Sequence, residues 1–176
     1  MEMIKESDLK ILYSSEQIQE KISELAKNLN REYKDEELYL ICVLKGSVMF
    51  MTDLAKHLNM PLKMEFIRLS SYGSNFTSSG KVNAVDISLP DLNNKNVLII
   101  EDIIDTGHTA KFLVDFINLN FQVKNLKFCS LLDKKIKRQV DINADYYCFE
   151  VDDKFLVGYG LDYDGYYRNL PYIGYV

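Results

Sequence analysis

Three acidic side chains occur together just past the middle of the chain, directly after a short apolar segment. Glu101 and Asp102 follow residues 97–100, and Asp105 comes three residues after Asp102. Adjacent carboxylates can hold the hydroxyls of a sugar or a hard divalent cation, and a further carboxylate can accept a proton from a reacting group. The acids therefore indicate a site for a sugar, a cation or both.

A small polar loop follows these acids and opens a predicted helix. Thr106, Gly107 and Thr109 can wrap a phosphate, because glycine lets the backbone come close, the hydroxyls donate hydrogen bonds and a helix N-terminus offers free amides. His108 lies inside this loop and either contacts the phosphate or points to solvent. A phosphorylated sugar satisfies the acids and the loop together. The alternative is an ordinary strand followed by an acid-capped helix.

The apolar pattern of the rest of the chain predicts an α/β fold. Helices alternate with short apolar strands, which is typical of a mainly parallel sheet flanked by helices. The predicted strands are residues 38–44, 64–69, 82–88, 97–100 and 126–132, and the predicted helices begin near Ser14, Ser47 and Thr109. Ligands bind such sheets at the carboxyl ends of the strands. The loops that follow residues 44, 100 and 132 are therefore the expected site.

Residues 70–81 have the composition of a long loop. Serine, glycine, asparagine and threonine fill most of these positions, and a loop of this length inside a compact domain is usually functional or mobile. From residue 152 the chain is rich in glycine, tyrosine and aspartate, which predicts short strands and loops. Repeats and linkers are absent from the sequence, so residues 1–176 are expected to form a single domain.

Composition argues against several classes of protein. The net charge of −5 is unfavourable for a surface that coats nucleic acid or an anionic membrane. The start of the chain lacks a signal-peptide pattern, and no apolar run approaches the ~18 residues of a membrane span. Cys42, Cys129 and Cys148 are far apart and lack zinc-binding spacing. We therefore expect a cytoplasmic protein with reduced core thiols.

Two familiar phosphate-binding motifs do not occur in the sequence. The pattern GxxxxGK[ST] of a Walker loop is absent, and Gly158-Tyr-Gly160 lacks the third glycine of a dinucleotide fingerprint. The acid-rich loop therefore represents a different way of binding phosphate.

The acid-rich block, residues 97–109, resembles the phosphoribosyl pyrophosphate motif of the phosphoribosyltransferases, and most closely that of the hypoxanthine-guanine members. Four further segments resemble the same family in the same order. They are residues 44–47 (LKGS), 70–73 (SSYG), 130–134 (SLLDK) and 153–163 (DKFLVGYGLDY). The resemblance covers nearly the whole chain after the first helix.

The resemblance implies how the phosphates and the ribose are bound. Lys45 and Gly46 are implied to bind pyrophosphate through their backbone, often at a cis peptide bond, and Arg168 to clamp a pyrophosphate oxygen. Asp105 and the loop after it are implied to hold the 5′-phosphate; this set is Asp105, Thr106, Gly107, His108 and Thr109. Glu101 and Asp102 are implied to bind the ribose hydroxyls, directly or through Mg²⁺. The implied Mg²⁺ ligands are Glu101, Asp102 and Asp162.

The resemblance also implies how the purine is bound. Lys134 would donate a hydrogen bond to the purine O6 and so disfavour adenine; the alternative for Lys134 is one charge among many in a solvated run, residues 133–138. Phe155 would stack on the base, while the Leu156 backbone reads its edge; the alternative for Phe155 is a core aromatic. Asp105 is implied to be the general base near the purine N7.

The implied fold is that of the type I phosphoribosyltransferases. It adds a small hood, built from residues 1–13 and 146–176, and a mobile catalytic loop, residues 70–81, in which Tyr72 is expected to shield the site. The implied reaction transfers the 5-phosphoribosyl group from phosphoribosyl pyrophosphate to hypoxanthine or guanine, giving IMP or GMP and releasing pyrophosphate. The family usually forms homodimers or homotetramers, and no nucleic acid or membrane partner is expected.

Two other classes of protein compete with this interpretation. A regulator that keeps the fold but binds RNA should have a basic face, which a net charge of −5 does not suggest. A phospho-receiver domain also gathers acids at strand ends around Mg²⁺, but its acid pair should follow the first strand rather than lie past the middle of the chain.

Overall fold

A computed structural model of the protein describes residues 6–70 and 83–176. Its helices and strands alternate along most of the chain. They are β1 (Lys10–Tyr13), α1 (Ser15–Tyr33), β2 (Leu38–Leu44), α2 (Val48–Lys56), β3 (Leu62–Ser70), β4 (Asn83–Asp86), β5 (Asn96–Ile104), α3 (His108–Asn120), β6 (Asn125–Asp133), β7 (Tyr146–Glu150), β8 (Leu156–Val157) and β9 (Ile173–Tyr175).

A six-stranded sheet forms the centre of the fold, in the order β4-β3-β2-β5-β6-β7. Five neighbouring strands, β3, β2, β5, β6 and β7, pair in parallel. The edge strand β4 runs antiparallel to β3. Strand β2 is apolar along its whole length and its first six residues are buried, as expected for a strand whose two faces are both covered. The predicted mainly parallel sheet is confirmed.

Helices cover both faces of this sheet. Helix α1 begins with the predicted capping box: the Gln17 N–H lies 3.3 Å from the Ser14 hydroxyl, and the Ser14 N–H lies 2.9 Å from the Gln17 side-chain oxygen. The apolar stripes of α1 and α2 are buried in one core, and that of α3 is buried in a second core on the opposite side. The result is a layer of sheet between two layers of helix.

A second, three-stranded antiparallel sheet has the order β1-β9-β8. It brings together segments that are far apart in sequence, since Lys10 lies opposite Tyr175 and Leu156 also lies opposite Tyr175. Strand β7 lies within the segment expected for the hood, but it is the edge strand of the large sheet. The extent of the hood and the single domain stay predictions.

The structure departs from the predicted elements at β5. This strand was expected over residues 97–100, but it continues to Ile104 because Ile103 and Ile104 pair with Leu132 and Asp133 of β6. Glu101 therefore lies inside the strand rather than after it. Strands β1 and β7 were not predicted, and both lack a long apolar run.

The cysteines and the helices bear on two further expectations. All three cysteines are buried and free, which confirms the prediction of core thiols. Among the residues that the structure describes, none of the helices has the length and the apolar character to span a membrane. Tyr72 and nearly all of the predicted catalytic loop lie outside the described residues.

Candidate active site

The polar loop predicted to bind phosphate joins the carboxyl end of β5 to the start of α3. Gly107 precedes the helix with a φ of 89°, a left-handed conformation that glycine adopts without strain. Asp105 is exposed at the start of the loop. The loop thus presents free amides at the N-terminus of a 13-residue helix, where an anion is favoured.

Two carboxylates stand in β5 before this loop. Glu101 is only 9% exposed, and burial, together with the charge of Asp102, raises the pKa of Glu101 well above its ordinary value. Within the described residues, the Glu101 Oε2 atom has no hydrogen-bond partner. Burial also raises the pKa of Asp102 to about 6, although its Oδ1 accepts a 2.8 Å hydrogen bond from the Ile103 N–H. A cation or a set of hydroxyl groups would satisfy these desolvated acids.

The loop after β2 packs directly on Asp102. The peptide bond between Leu44 and Lys45 is cis, as the resemblance implied for this loop. A β-carbon added to Gly46 would lie 1.5 Å from Asp102 Oδ2, so only glycine fits here. The Ser47 hydroxyl donates a 2.6 Å hydrogen bond to the Val43 carbonyl, which ties the loop to the end of β2.

A loop from the small sheet closes on the other side of Gly46. A β-carbon on Gly160 would lie 1.9 Å from the Gly46 carbonyl oxygen, so the two backbones are in contact. Arg168 donates to the Gly160 carbonyl at 2.6 Å and pairs with Asp162 at 2.6 Å. The positive charge of Arg168 lowers the pKa of Asp102, and the negative charge of Asp162 raises it. Arg168 and Asp162 therefore lie close to the acids of β5.

The residues predicted to bind a base lie beyond the end of β6. Lys134 is only 7% exposed; its ammonium donates to the Lys154 carbonyl at 2.9 Å and lies 3.7 Å from the Asp153 carboxylate. Phe155 is 53% exposed, and its ring meets that of Tyr163 edge to face with centroids 5.7 Å apart. A flat ligand can cover the free face of Phe155.

These contacts decide between the readings that the sequence left open for two residues. Phe155 is exposed and is therefore not a core aromatic. The alternative that residues 133–138 form a solvated run of charges is wrong for Asp133 and Lys134. Both are buried, because β6 and its parallel neighbours enclose them. The alternative is correct for Lys135 and Lys137.

The outcome for the remaining candidates is mixed. His108 neither points freely to solvent nor stands alone, because its Nε2 lies 3.1 Å from the Gln139 side-chain oxygen. Thr106 and Thr109 are half-buried on the loop, and Leu156 is buried in β8. The substrate and metal roles of all these residues stay predictions.

The sequence did not single out Gly160 or Tyr163 as contributors to the site. Both lie within residues 153–163, which the resemblance covered without giving either residue a role, and Gly160 was otherwise noted only as part of an incomplete dinucleotide motif. Its φ of 99° depends on a turn that composition alone does not specify. An Asp-Tyr-Asp-Gly run, residues 162–165, is the signal that could have located the turn that carries Tyr163.

The acids of β5 are chemically suited to Mg²⁺. Residues 6–70 and 83–176 contain no cluster of three or more His, Cys, Asp or Glu side chains arranged to hold a metal. However, Mg²⁺ is commonly bound by one or two carboxylates together with substrate phosphates. The unpartnered Glu101 oxygen and the half-buried Asp102 provide such carboxylates, whereas Asp162 is already paired with Arg168.

Comparison with known proteins assigns the chain to a family. The phosphoribosyl transferase domain matches residues 8–164. The protein is a member of the phosphoribosyltransferase family. Similar phosphoribosyltransferases include the hypoxanthine-guanine phosphoribosyltransferase of Bacillus subtilis (strain 168), which is 46% identical over 172 residues, or 98% of this chain and 95% of that protein. The enzyme of the same name from Streptococcus thermophilus (strain CNRZ 1066) is 43% identical over the same shares of both chains.

Solved structures give the same result. A crystal structure of a hypoxanthine-guanine phosphoribosyltransferase from Bacillus anthracis, with a HEPES molecule in its active site, has a TM-score of 0.90 at 44% identity, covering 95% of this chain and 98% of that one. A hypoxanthine phosphoribosyltransferase from Staphylococcus aureus has a TM-score of 0.92 at 40% identity, covering 99% and 96%. This phosphoribosyltransferase therefore has the predicted type I fold.

Proposed function

We propose that this phosphoribosyltransferase acts in purine salvage, transferring the 5-phosphoribosyl group from phosphoribosyl pyrophosphate to hypoxanthine or guanine and giving IMP or GMP plus pyrophosphate. The observation that carries the proposal is that a buried cation, Lys134, is held by residues 153 and 154, directly before an exposed aromatic ring, Phe155. A 6-oxopurine needs both a donor for its O6 and a surface on which to stack. The names of the relatives at 46% and 43% identity support the same substrates.

The proposed donor site uses both loops that meet at Asp102. The 5′-phosphate binds the amides and hydroxyls from Asp105 to Thr109 at the start of α3, where the helix dipole favours an anion. Pyrophosphate binds the backbone of Lys45 and Gly46, and Arg168 clamps one of its oxygens. Glu101 and Asp102 accept hydrogen bonds from the ribose hydroxyls.

Mg²⁺ belongs to the proposed site, with Glu101, Asp102 and Asp162 as the residues that would hold it. When bound, it supplies positive charge that screens the phosphates and the leaving pyrophosphate. For Asp162 to take part, its carboxylate has to be shared with Arg168, to which it is already paired at 2.6 Å. That pairing is compatible with both residues serving the same pyrophosphate group.

The proposed recognition of the base explains a preference for 6-oxopurines. The Lys134 ammonium is a donor and has no acceptor lone pair, so it can bind the O6 of hypoxanthine or guanine but repels the 6-amino group of adenine. Its two contacts with residues 153 and 154 orient it beside Phe155. The backbone of Leu156 then reads the opposite edge of the base.

The proposed chemistry breaks the C1′–O bond to pyrophosphate before the new bond is formed, through an oxocarbenium-like transition state. The purine N9 attacks C1′, while the Asp105 carboxylate accepts the N7 proton or its hydrogen bond. Lys45, Gly46 and Arg168 stabilise the departing pyrophosphate. The loop at residues 70–81, with Tyr72, is proposed to exclude water that would attack the oxocarbenium-like ribose.

The deciding experiment is nucleotide formation from phosphoribosyl pyrophosphate and Mg²⁺, with hypoxanthine, guanine, xanthine and adenine tested in parallel. Rapid formation of IMP or GMP with little AMP supports the proposal. Folded protein that makes no nucleotide from any base would sink it, and RNA binding would then be the next assay, because a regulator with this fold is the second candidate.

The surroundings of the enzyme are part of the same proposal. We expect it to act in the cytoplasm, where phosphoribosyl pyrophosphate and thiol-reducing conditions are both found, and to form a homodimer or homotetramer. Light scattering on purified protein measures the assembly directly. A monomer at micromolar concentration would contradict the second expectation.

A further inference from the structure

A short segment after β6 packs against residues 105–109, which we call the phosphate loop. We call residues 138–142 the cover segment. A β-carbon added to Gly107 would lie 2.6 Å from Ile142 Cγ2, 2.9 Å from Arg138 Cδ and 3.0 Å from Val140 Cγ2. The cover segment therefore packs directly against Gly107 of this loop.

Two hydrogen bonds join the cover segment to the same loop. The Gln139 N–H donates to the Thr106 carbonyl at 2.9 Å, and the Gln139 side-chain oxygen lies 3.1 Å from His108 Nε2. Backbone and side-chain contacts thus reach the residues on both sides of Gly107. Movement of the cover segment would be transmitted directly to the phosphate loop.

A buried ion pair holds the cover segment in place. Asp133, the last residue of β6, is 1% exposed, and the side chain of Arg138 is 14% exposed. The Arg138 guanidinium donates one N–H to Asp133 Oδ1 and another to the Ile142 carbonyl, the latter at 2.7 Å. One arginine therefore connects the end of a central strand to both ends of the cover segment.

Two hydrogen bonds that hold Lys134 do not involve the side chains of this ion pair. The Lys134 N–H donates to the Ile104 carbonyl at 2.9 Å, and its ammonium is held by the Lys154 carbonyl at 2.9 Å. Both contacts lie outside the cover segment. Loss of the Asp133–Arg138 pair should therefore disturb the phosphate loop more than the base site.

We propose that Arg138, oriented by Asp133, is a positioning residue that fixes the phosphate loop and thereby sets the affinity for the 5′-phosphate of the donor, separately from recognition of the base. The ligand in this statement rests on the proposed function. The positioning itself rests on the contacts of Arg138 and Gln139 with the loop. Arg138 acts through the loop and does not itself touch substrate.

The choice of variants follows from the burial of the pair. Removing one partner of a buried ion pair strands the other charge and is strongly destabilising, whereas replacing both with neutral groups of similar volume is often tolerated. The main variant is therefore the double substitution Asp133→Asn with Arg138→Met, which keeps most of the volume and leaves no isolated charge. Arg138→Lys keeps a charge beside Asp133 but has only one donor group to share between Asp133 and Ile142.

The control is an exposed salt bridge within α3 whose two side chains pair with each other. Lys111 and Asp115 pair at 2.5 Å on α3, with about half of each side chain exposed. The Lys111 N–H donates to the Gly107 carbonyl at 2.9 Å, and a side-chain substitution leaves that backbone bond in place. Exposed pairs contribute little to stability. Lys111→Met should therefore leave both stability and ligand affinities near those of the unaltered enzyme.

Two quantities separate a positioning role from a merely structural one. They are the Kd for phosphoribosyl pyrophosphate with Mg²⁺, by calorimetry, and the KM for hypoxanthine at saturating donor. For the double variant we expect the Kd to rise roughly 10- to 100-fold, since small misplacements of binding groups have effects of that size. The KM for hypoxanthine should stay within about 2-fold, and Arg138→Lys should give an intermediate Kd.

Three outcomes would count against the inference. A double variant that melts at a lower temperature but binds the donor as tightly as the unaltered enzyme would show that the pair is only structural. A parallel rise in Kd and in the KM for hypoxanthine would overturn the separation between phosphate and base. Unaltered enzyme that binds no phosphoribosyl pyrophosphate would instead overturn the proposed function, and the inference about its ligand with it.

Discussion

Replacing Gly46 with alanine should remove most of the activity, and the structure gives the size of the perturbation. The added β-carbon would lie 1.5 Å from Asp102 Oδ2, whereas ordinary contact begins at 3.4 Å, so the two groups must separate by about 2 Å. Asp102 is held by the Ile103 N–H at 2.8 Å, and Gly160 blocks the Gly46 carbonyl on the other side. Neither the Asp102 carboxylate nor the loop that carries Gly46 can therefore move away without losing one of these contacts.

A displacement of this size falls on the groups that are proposed to bind the ribose and the pyrophosphate. Because a misplacement of ~1 Å can cost ~100-fold in rate, we expect kcat/KM for phosphoribosyl pyrophosphate to fall by at least ~100-fold, equivalent to ~2.7 kcal/mol. Steady-state kinetics with hypoxanthine measure this fall, and circular dichroism establishes that the variant is folded.

The matched control is Gly174→Ala in β9, away from the site. There the β-carbon would come no closer than 3.2 Å, to the Lys10 carbonyl, so a shift of a few tenths of an ångström is enough. We expect kcat/KM within about 3-fold of the unaltered enzyme, as for a substitution without a severe clash. Gly46→Ala that keeps more than a tenth of the activity would refute the reasoning.

Three further predictions concern acid–base chemistry, base choice and stability. Asp105→Asn should lower kcat by roughly 10²–10⁴-fold because it removes the proposed proton acceptor; turnover close to that of the unaltered enzyme would exclude the role. Lys134→Met should lower kcat/KM for hypoxanthine by roughly 10- to 150-fold, the value of a charged hydrogen bond, with little loss for adenine, and a panel of bases measures the ratio. The pKa of Asp53 lies below its ordinary value of 3.8 because hydrogen bonds from Tyr159, Lys56 and Gln19 together outweigh the opposing effect of burial. The ionised form of Asp53 therefore stabilises the fold fully at pH values above its ordinary pKa of 3.8. This stabilisation is lost as the pH falls through the lowered pKa of the folded state. Thermal melts should show Asp53→Asn less stable than the unaltered protein near neutral pH and the difference shrinking at acid pH; a constant difference would contradict this.

The sequence was sufficient to predict the elements whose signals are local. The Ser14–Gln17 capping box and the apolar stripe behind it specified α1, and the uninterrupted apolar run of β2 specified a strand buried on both faces. In each case the residues that define the element are close in sequence. Periodicity and capping are properties of a short window, so they can be read without knowing the rest of the fold.

Other features depend on pairings between distant segments and could not be predicted in this way. Strand β5 extends past its apolar run because β6 offers partners for Ile103 and Ile104. Strand β1 exists because β9 pairs with it. Hydrogen bonding between strands adds residues to an element whatever their own propensity.

The site shows the same division between local and distant information. The order of the acids, threonines and Gly107 was enough to locate the loop between β5 and α3 and the helix that follows it. The burial of Asp133 was not apparent, because it sits among charged neighbours in sequence and its enclosure comes from β5 and β7. The contact between Gly46 and Gly160 joins loops that follow different sheets, and no pattern within either loop encodes it.

The pairing of Lys10 with Tyr175 also affects the order in which the protein takes shape during synthesis. Strand β1 has to wait for β9, which leaves the ribosome after nearly all the rest of the described chain. Strands β2, β5 and β6 can pair before that, since segments fold as they emerge. The newborn chain should therefore form the loops proposed to bind phosphate while the sheet beside Phe155 is still open. The proposed site for the sugar phosphate would then be complete before the proposed site for the base.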